Sequence, residues 1–280
     1  MHATTRAWFR LSLLLLVGAA LLHAAHLLGL SAVWPALVHL TLFGWVSGMI
    51  VAVNCHTMPV FAGRDFPDYR PLWAQLAAQG AGVTLAVAGL LAGGGPLLVA
   101  GLGLELVAAL LFMLNIILLL RRGVRRAPPA PSPVPGQREV DKVGTRATSA
   151  AGLCLPLVLG LMLAVRTGLV GGAWWLAAEH LAALGWVMLM IVGVAYHILP
   201  RFSGLATRGA RWTRAQLGLQ LAALALIVVS LGLGWGRAFA AGGLLMAVAL
   251  GLFAWTIWPT LRAVAARPAV IVPTVKERAR

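Results

Sequence analysis

A chain of 280 residues that is 61% hydrophobic and only 10% charged is no soluble globular domain, whose charged fraction is nearer about a quarter. Its 22 Lys and Arg against 7 Asp and Glu give a net charge of +15, but these charges fall almost wholly in alternate loops between apolar runs. They report membrane topology and not a nucleic-acid surface, and the composition predicts an all-α polytopic membrane protein.

Eight apolar runs long enough to cross a hydrocarbon core are predicted, at about 11–30, 35–58, 72–92, 96–120, 150–171, 174–198, 214–234 and 237–260. The first follows Arg6 and Arg10, and no polar mature region follows it, so it reads as a membrane helix and not a cleaved leader. It carries His23 and His26, three apart and so on one face. Copper binding, a proton route and a hydrogen-bonded pair are the readings for them.

The second run begins the segment HLTLFGWVSGMIVAVNCHTMPVFAG at His39. The sixth begins HLAALGWVMLMIVGVAYHILPRFSG at His180, with Gly-Trp, His, Pro, Phe and Gly at the same spacing. Matched residues differ by 141: His39 and His180, His56 and His197, and beyond the motif Gln75 and Gln216, Gln79 and Gln220, Arg121 and Arg262. The chain is a tandem duplication of a four-helix repeat, read as 1–120 and 149–280. The basic, Pro-rich stretch 121–148 reads as a cytoplasmic linker without apolar periodicity. An even number of helices per repeat gives both halves one orientation, with their pseudo-twofold axis along the membrane normal.

With both termini inside an inner (cytoplasmic) membrane, the basic residues lie inside except Arg166 and Arg237, a strong positive-inside asymmetry. Trp34, Trp174, Trp175 and Trp235 fall at outer helix ends and Trp8, Trp73, Trp212 and Trp258 at inner ones, as interfacial anchors. Cys55 and Cys154 are not offset partners and indicate no disulfide framework.

An intramembrane ionisable residue is a functional candidate by default. His39 and His180 enter the second helix of each repeat at equal depth, where two imidazoles from facing helices would saturate the iron of a b-type haem. A hydrogen-bonded pair across a helix interface is the alternative. His56 and His197 lie seventeen residues on, about 25 Å along the helix and roughly 100° around. A second haem and a polar interfacial role are their two readings. Glu105, whose offset partner is Met246, is expected to be protonated or paired with a polar neighbour. Arg166 and Arg237, the two outer arginines, are candidates for pairing with anionic haem propionates.

The segment EHLAALGWVMLMIVGVAYHILPRFSG resembles the tenth helix of haem-copper oxidase subunit I, where a His-x-His pair precedes Gly-Trp and a Tyr-His-x-x-Pro ending. On that resemblance His180 takes the place of the low-spin haem ligand, and Ala178 replaces the ligand of the catalytic haem. The first copy resembles small subunit-I-like proteins and, more loosely, the NnrS group linked to nitric oxide stress. There His39 takes the low-spin place, and Leu37 stands where a catalytic-haem ligand would be. Arg237 falls in the loop whose arginines meet the low-spin haem propionates in the family, and Tyr196 aligns with a packing tyrosine. No His cluster supplies an active-site copper, so the resemblance implies a haem b protein that is not an autonomous terminal oxidase. It points to electron transfer in respiration or nitrogen-oxide metabolism, with a redox partner protein or quinol and optional copper. A haem or copper handling protein, a nitric-oxide-responsive sensor and an oxidase assembly partner are the alternatives. Two arcs where the family has three leave self-association open.

Overall fold

The computed structural model describes residues 2–126 and 134–265. The arginines of the C-terminal tail and linker residues 127–133 lie outside the described residues. Among the described residues, eight helices are long and apolar enough to span a membrane: α1 (Ala3–Leu27), α2 (Ser31–Ala62), α3 (Arg70–Leu91), α4 (Pro96–Arg122), α5 (Gln137–Arg166), α6 (Ala173–Ser203), α7 (Ala210–Leu233) and α8 (Gly236–Ala265). The protein is an all-α polytopic membrane protein. A two-residue ribbon, β1 (Arg64–Asp65) with β2 (Val124–Arg125), ties the loop after α2 to the linker. We call this side of the bundle the linker end.

Local chemistry sets the helix limits in both repeats alike. α2 and α6 stop at offset-matched glycines, Gly63 at φ +60° and Gly204 at φ +68°, left-handed C-caps that a side chain would strain. Between α3 and α4, Gly93, Gly94 and Gly95 all have positive φ, and Pro96 opens α4 where its missing N–H costs nothing.

Helix α5 begins eleven residues before the end expected for the linker. Val140, Val143, Gly144, Ala147 and Ala151 are all buried, a spacing that puts them on one helical face. Asp141 holds the polar face against α6: Arg201 donates to both of its carboxylate oxygens, at 3.0 and 2.9 Å, and Gln137 to one, at 2.8 Å. The apolar period was hidden among charged residues that are satisfied only in the folded bundle.

Both copies of the repeated motif contain a π-helical segment, Leu40–Val46 in α2 and Leu181–Met188 in α6. Each starts directly after its histidine. Such segments are rare and cluster at functional sites. A π turn advances less per residue than an α turn, so the roughly 100° separation from His39 to His56 calculated for a regular helix does not apply. Gly44 and Gly185 sit in these wide turns, and a Cβ there would come within 3.0 Å of Leu40 and 2.9 Å of Cys154 respectively.

Within the first repeat α3 and α4 pack almost backbone to backbone. A Cβ at Gly101 would lie 2.3 Å from the Ala86 nitrogen, and one at Gly89 would lie 2.5 Å from the Leu98 nitrogen. Small residues allow that approach, which in a membrane replaces the hydrophobic effect with close packing as the source of association. The two repeats join where α4 packs along α5 and α2 meets α6. Among the described residues the equivalent seam between α8 and α1 makes no comparable contact, and these two helices are the least buried spans, at 17% each. Trp34, Trp73, Trp235 and Trp258 are exposed at helix ends, but Trp8 is wholly buried and is a core residue, not an interfacial anchor.

Candidate functional site

His39 ends the first α-helical part of α2 and is 2% exposed. Its Nε2 lies 2.7 Å from Oε1 of Glu105 on α4, which is 0% exposed. Gly82 on α3 makes the room, since a Cβ there would lie 2.8 Å from the Glu105 Cγ. Phe43, one turn on, closes the other side with ring centroids 4.6 Å apart. A 2.7 Å contact between a ring nitrogen and a carboxyl oxygen is a hydrogen bond, and the mutual pairing offsets the cost of burying two ionisable groups away from water. His39 Nδ1 and Glu105 Oε2 remain buried without a partner, so each residue keeps one polar atom for further chemistry.

Amides continue the polar line toward the linker end. Gln79 donates to the Phe43 carbonyl in the π segment at 2.7 Å, and Asn115 donates to Gln75 at 2.9 Å. Glu105 and Asn115 are ten residues apart on α4, about 15 Å along its axis. The second repeat keeps the glutamines but wires them differently: the Tyr196 hydroxyl donates to Gln216 at 3.0 Å, and Gln216 donates to Gln220 at 2.7 Å. Tyr196 is buried and acts as packing and hydrogen-bond donor.

His180, the offset partner of His39, has a different environment. Met246 replaces Glu105, and the ring turns to its own helix, with Nδ1 2.9 Å from the Leu176 carbonyl. Nδ1 must then carry the proton, which leaves Nε2 as a lone-pair site; this is how a metal-binding histidine is oriented. The Phe239 ring meets it edge-on at 5.9 Å. Arg166 stacks on Trp175 at 4.6 Å, and Trp175 donates to Glu179 at 2.9 Å. Arg237 is exposed two residues before Phe239. His180, Arg166 and Arg237 all lie toward the end of the second repeat opposite the linker, Arg166 beside Gly94 of the first repeat.

The structure does not bring His39 and His180 together, contrary to the expectation of a shared haem. Each points into its own repeat. Further along the two helices, past the histidines, α2 and α6 touch directly, with Trp186 Nε1 donating to Ser47 Oγ at 2.8 Å and Asn54 donating to the Met190 sulfur at 3.7 Å. Glu105 occupies His39 Nε2 in this structure, so that nitrogen is engaged and not turned toward His180.

The remaining histidines separate. His197 Nδ1 lies 3.1 Å from Asp141 in the α5–α6 clamp, a polar interfacial role. His56 is exposed near the linker end. His23 is exposed, while His26 lies against Trp34 at 5.1 Å with Nδ1 buried and unpartnered; they do not bond each other. Among the described residues no three His, Cys, Asp or Glu cluster as a metal site. Sequence reasoning named Glu105 but missed its partner. The usable signal was depth: Glu105 lies nine residues into α4 and His39 eight into α2, both entering from the end opposite the linker. No family model matches the chain, and no curated protein is significantly similar to it.

Proposed function

We propose that this membrane protein handles protons within its first repeat, with His39 and Glu105 as the acid–base pair. The observation that carries this is the enclosed 2.7 Å contact with one unpartnered polar atom on each residue. Buried His and Glu chains inside spans are characteristic of proton relays, and the Gln79, Gln75 and Asn115 amides extend the polar line from the pair. The positive-inside bias supports an inner membrane with both termini in the cytoplasm: Arg64, Arg70, Arg121, Arg201 and Arg208 lie toward the linker end, and Arg166 and Arg237 opposite. Infrared difference spectra of the reconstituted protein across a pH step should show a carboxyl band that disappears in Glu105→Gln and shifts in His39→Gln. Absence of any Glu105-dependent band between pH 4 and 10, a window of roughly three units either side of neutrality, would remove the pair from proton exchange.

A second reading is favoured by the Nδ1-anchored imidazole of His180. In it the second repeat holds haem b through His180 Nε2, with Arg166 and Arg237 as the candidate cations for the propionates, and serves electron transfer as the resemblance implies. Bound haem would supply one-electron redox chemistry or an open position for a diatomic ligand; the chain supplies a fixed imidazole, its tautomer and nearby positive charge. Purified protein should then show a Soret band sensitive to carbon monoxide, since one imidazole leaves the sixth position open. The band should vanish in His180→Ala and survive in His39→Leu. Bands insensitive to carbon monoxide and lost in both variants would instead mean that haem rearranges His39 away from Glu105.

A further inference from the structure

The seam between α2 and α6 contains a groove that the histidine chemistry above does not use. On the face opposite α4 and α5, a cavity of about 480 Å³ runs between the two helices, lined by offset-matched residues such as Met49 with Met190 and Val53 with Val194. Its walls are apolar apart from Asn54. At Ile198 it meets a second cavity of about 440 Å³ toward the linker end, lined by His56, Thr57, Phe61, Arg201 and Phe202. From Met49 to Phe61 is twelve residues, about 18 Å of helix. An apolar slot bounded by two helices, ending in one polar and aromatic chamber, has the shape of a single-chain amphiphile.

The polar end decides the head group. Arg201 is already paired with both oxygens of Asp141, so the chamber presents no unbalanced guanidinium to a phosphate. The Thr57 hydroxyl donates to Val53 and has only acceptor capacity left. His56 has no hydrogen-bond partner among the described residues and is exposed there, offering an N–H to a neutral acceptor. Phe202, 65% exposed, presents ring surface on α6, and its offset partner Phe61 lines the chamber with the Arg201 guanidinium 5.3 Å from its ring centroid; such an aromatic rim suits a flat ring. We propose that the groove binds an isoprenoid quinone, its chain along Met49, Val53 and Val194 and one ring carbonyl accepting from His56. This assignment is independent of both the His39–Glu105 pair and ligation at His180.

The test is photolabelling of the full chain in lipid nanodiscs with an azidobenzoquinone bearing a decyl tail, the labelled peptides being located by mass spectrometry. Label should fall on the segments around 49–61 and 190–202 and be displaced by decylbenzoquinone. Val53→Trp, or its offset partner Val194→Trp if the first does not fold, should cut displaceable labelling at least tenfold. His56→Leu should weaken displacement severalfold. Leu157→Trp, on a surface where Leu157 is 62% exposed, should change nothing. Label spread over all eight helices, or unaffected in the folded Trp variant, overturns the site. Displacement by decyl phosphate as effective as by decylbenzoquinone overturns the quinone in favour of an anionic amphiphile. Equal displacement by decanol overturns any head-group recognition.

Discussion

Glu105→Met and His39→Leu should each destabilise the protein by about 3–5 kcal/mol, the cost of leaving one member of a buried pair without the other. Each single change strands an ionisable group in a core where its partner was 2.7 Å away and where both are at most 2% exposed. The double variant should recover most of the loss, because two apolar side chains of similar volume remove both desolvation costs together. The second repeat already contains half of this replacement, with Met246 at the position of Glu105. Denaturant or thermal unfolding in a fixed detergent gives the three values and hence the coupling energy. Single changes within about 0.5 kcal/mol of the parent, a typical surface effect, would show that the pair is not closed off from water.

Gly101→Leu should lose the folded protein outright or cost more than the usual 1–3 kcal/mol of overpacking. The added Cβ would meet the backbone nitrogen and Cα of Ala86 at 2.3 and 2.7 Å, and backbone atoms inside a helix cannot swing away as a side chain can. Relief requires α3 and α4 to separate, which would also pull Glu105 from its place beside Gly82. Two residues along, Gly103 has nothing within 4 Å of its would-be Cβ. Gly103→Leu should therefore be tolerated and gain up to about 1 kcal/mol of helix propensity. Comparable unfolding midpoints for the two variants would mean that the α3–α4 contact is not tight in the protein as it exists.

Several features were legible in residue order because they are local or periodic. The eight spans follow from runs of apolar residues, since a helix is the way a single segment satisfies its backbone in hydrocarbon. The duplication follows from the constant offset of 141; the left-handed glycine caps at Gly63 and Gly204 carry both helices past the ends expected at about 58 and 198. The early start of α5 was less legible. Its apolar residues alternate with residues such as Asp141 that look solvated in sequence and become half-buried partners only when α6 stands beside them.

What each motif histidine faces was decided by the tertiary structure. Sequence made His39 and His180 equivalent, since the motifs around them match residue for residue at the key positions. Folding made them different: His39 meets Glu105 across α4, while His180, opposite Met246, turns back to its own helix carbonyl. The π segments that follow them likewise depend on packing, because Gly44 and Gly185 occupy wide turns pressed against neighbouring helices. A side chain's identity and depth are properties of the chain, whereas its direction depends on helix phase and on which neighbour fills the space. In this protein the chemistry of the duplicated site depends on direction.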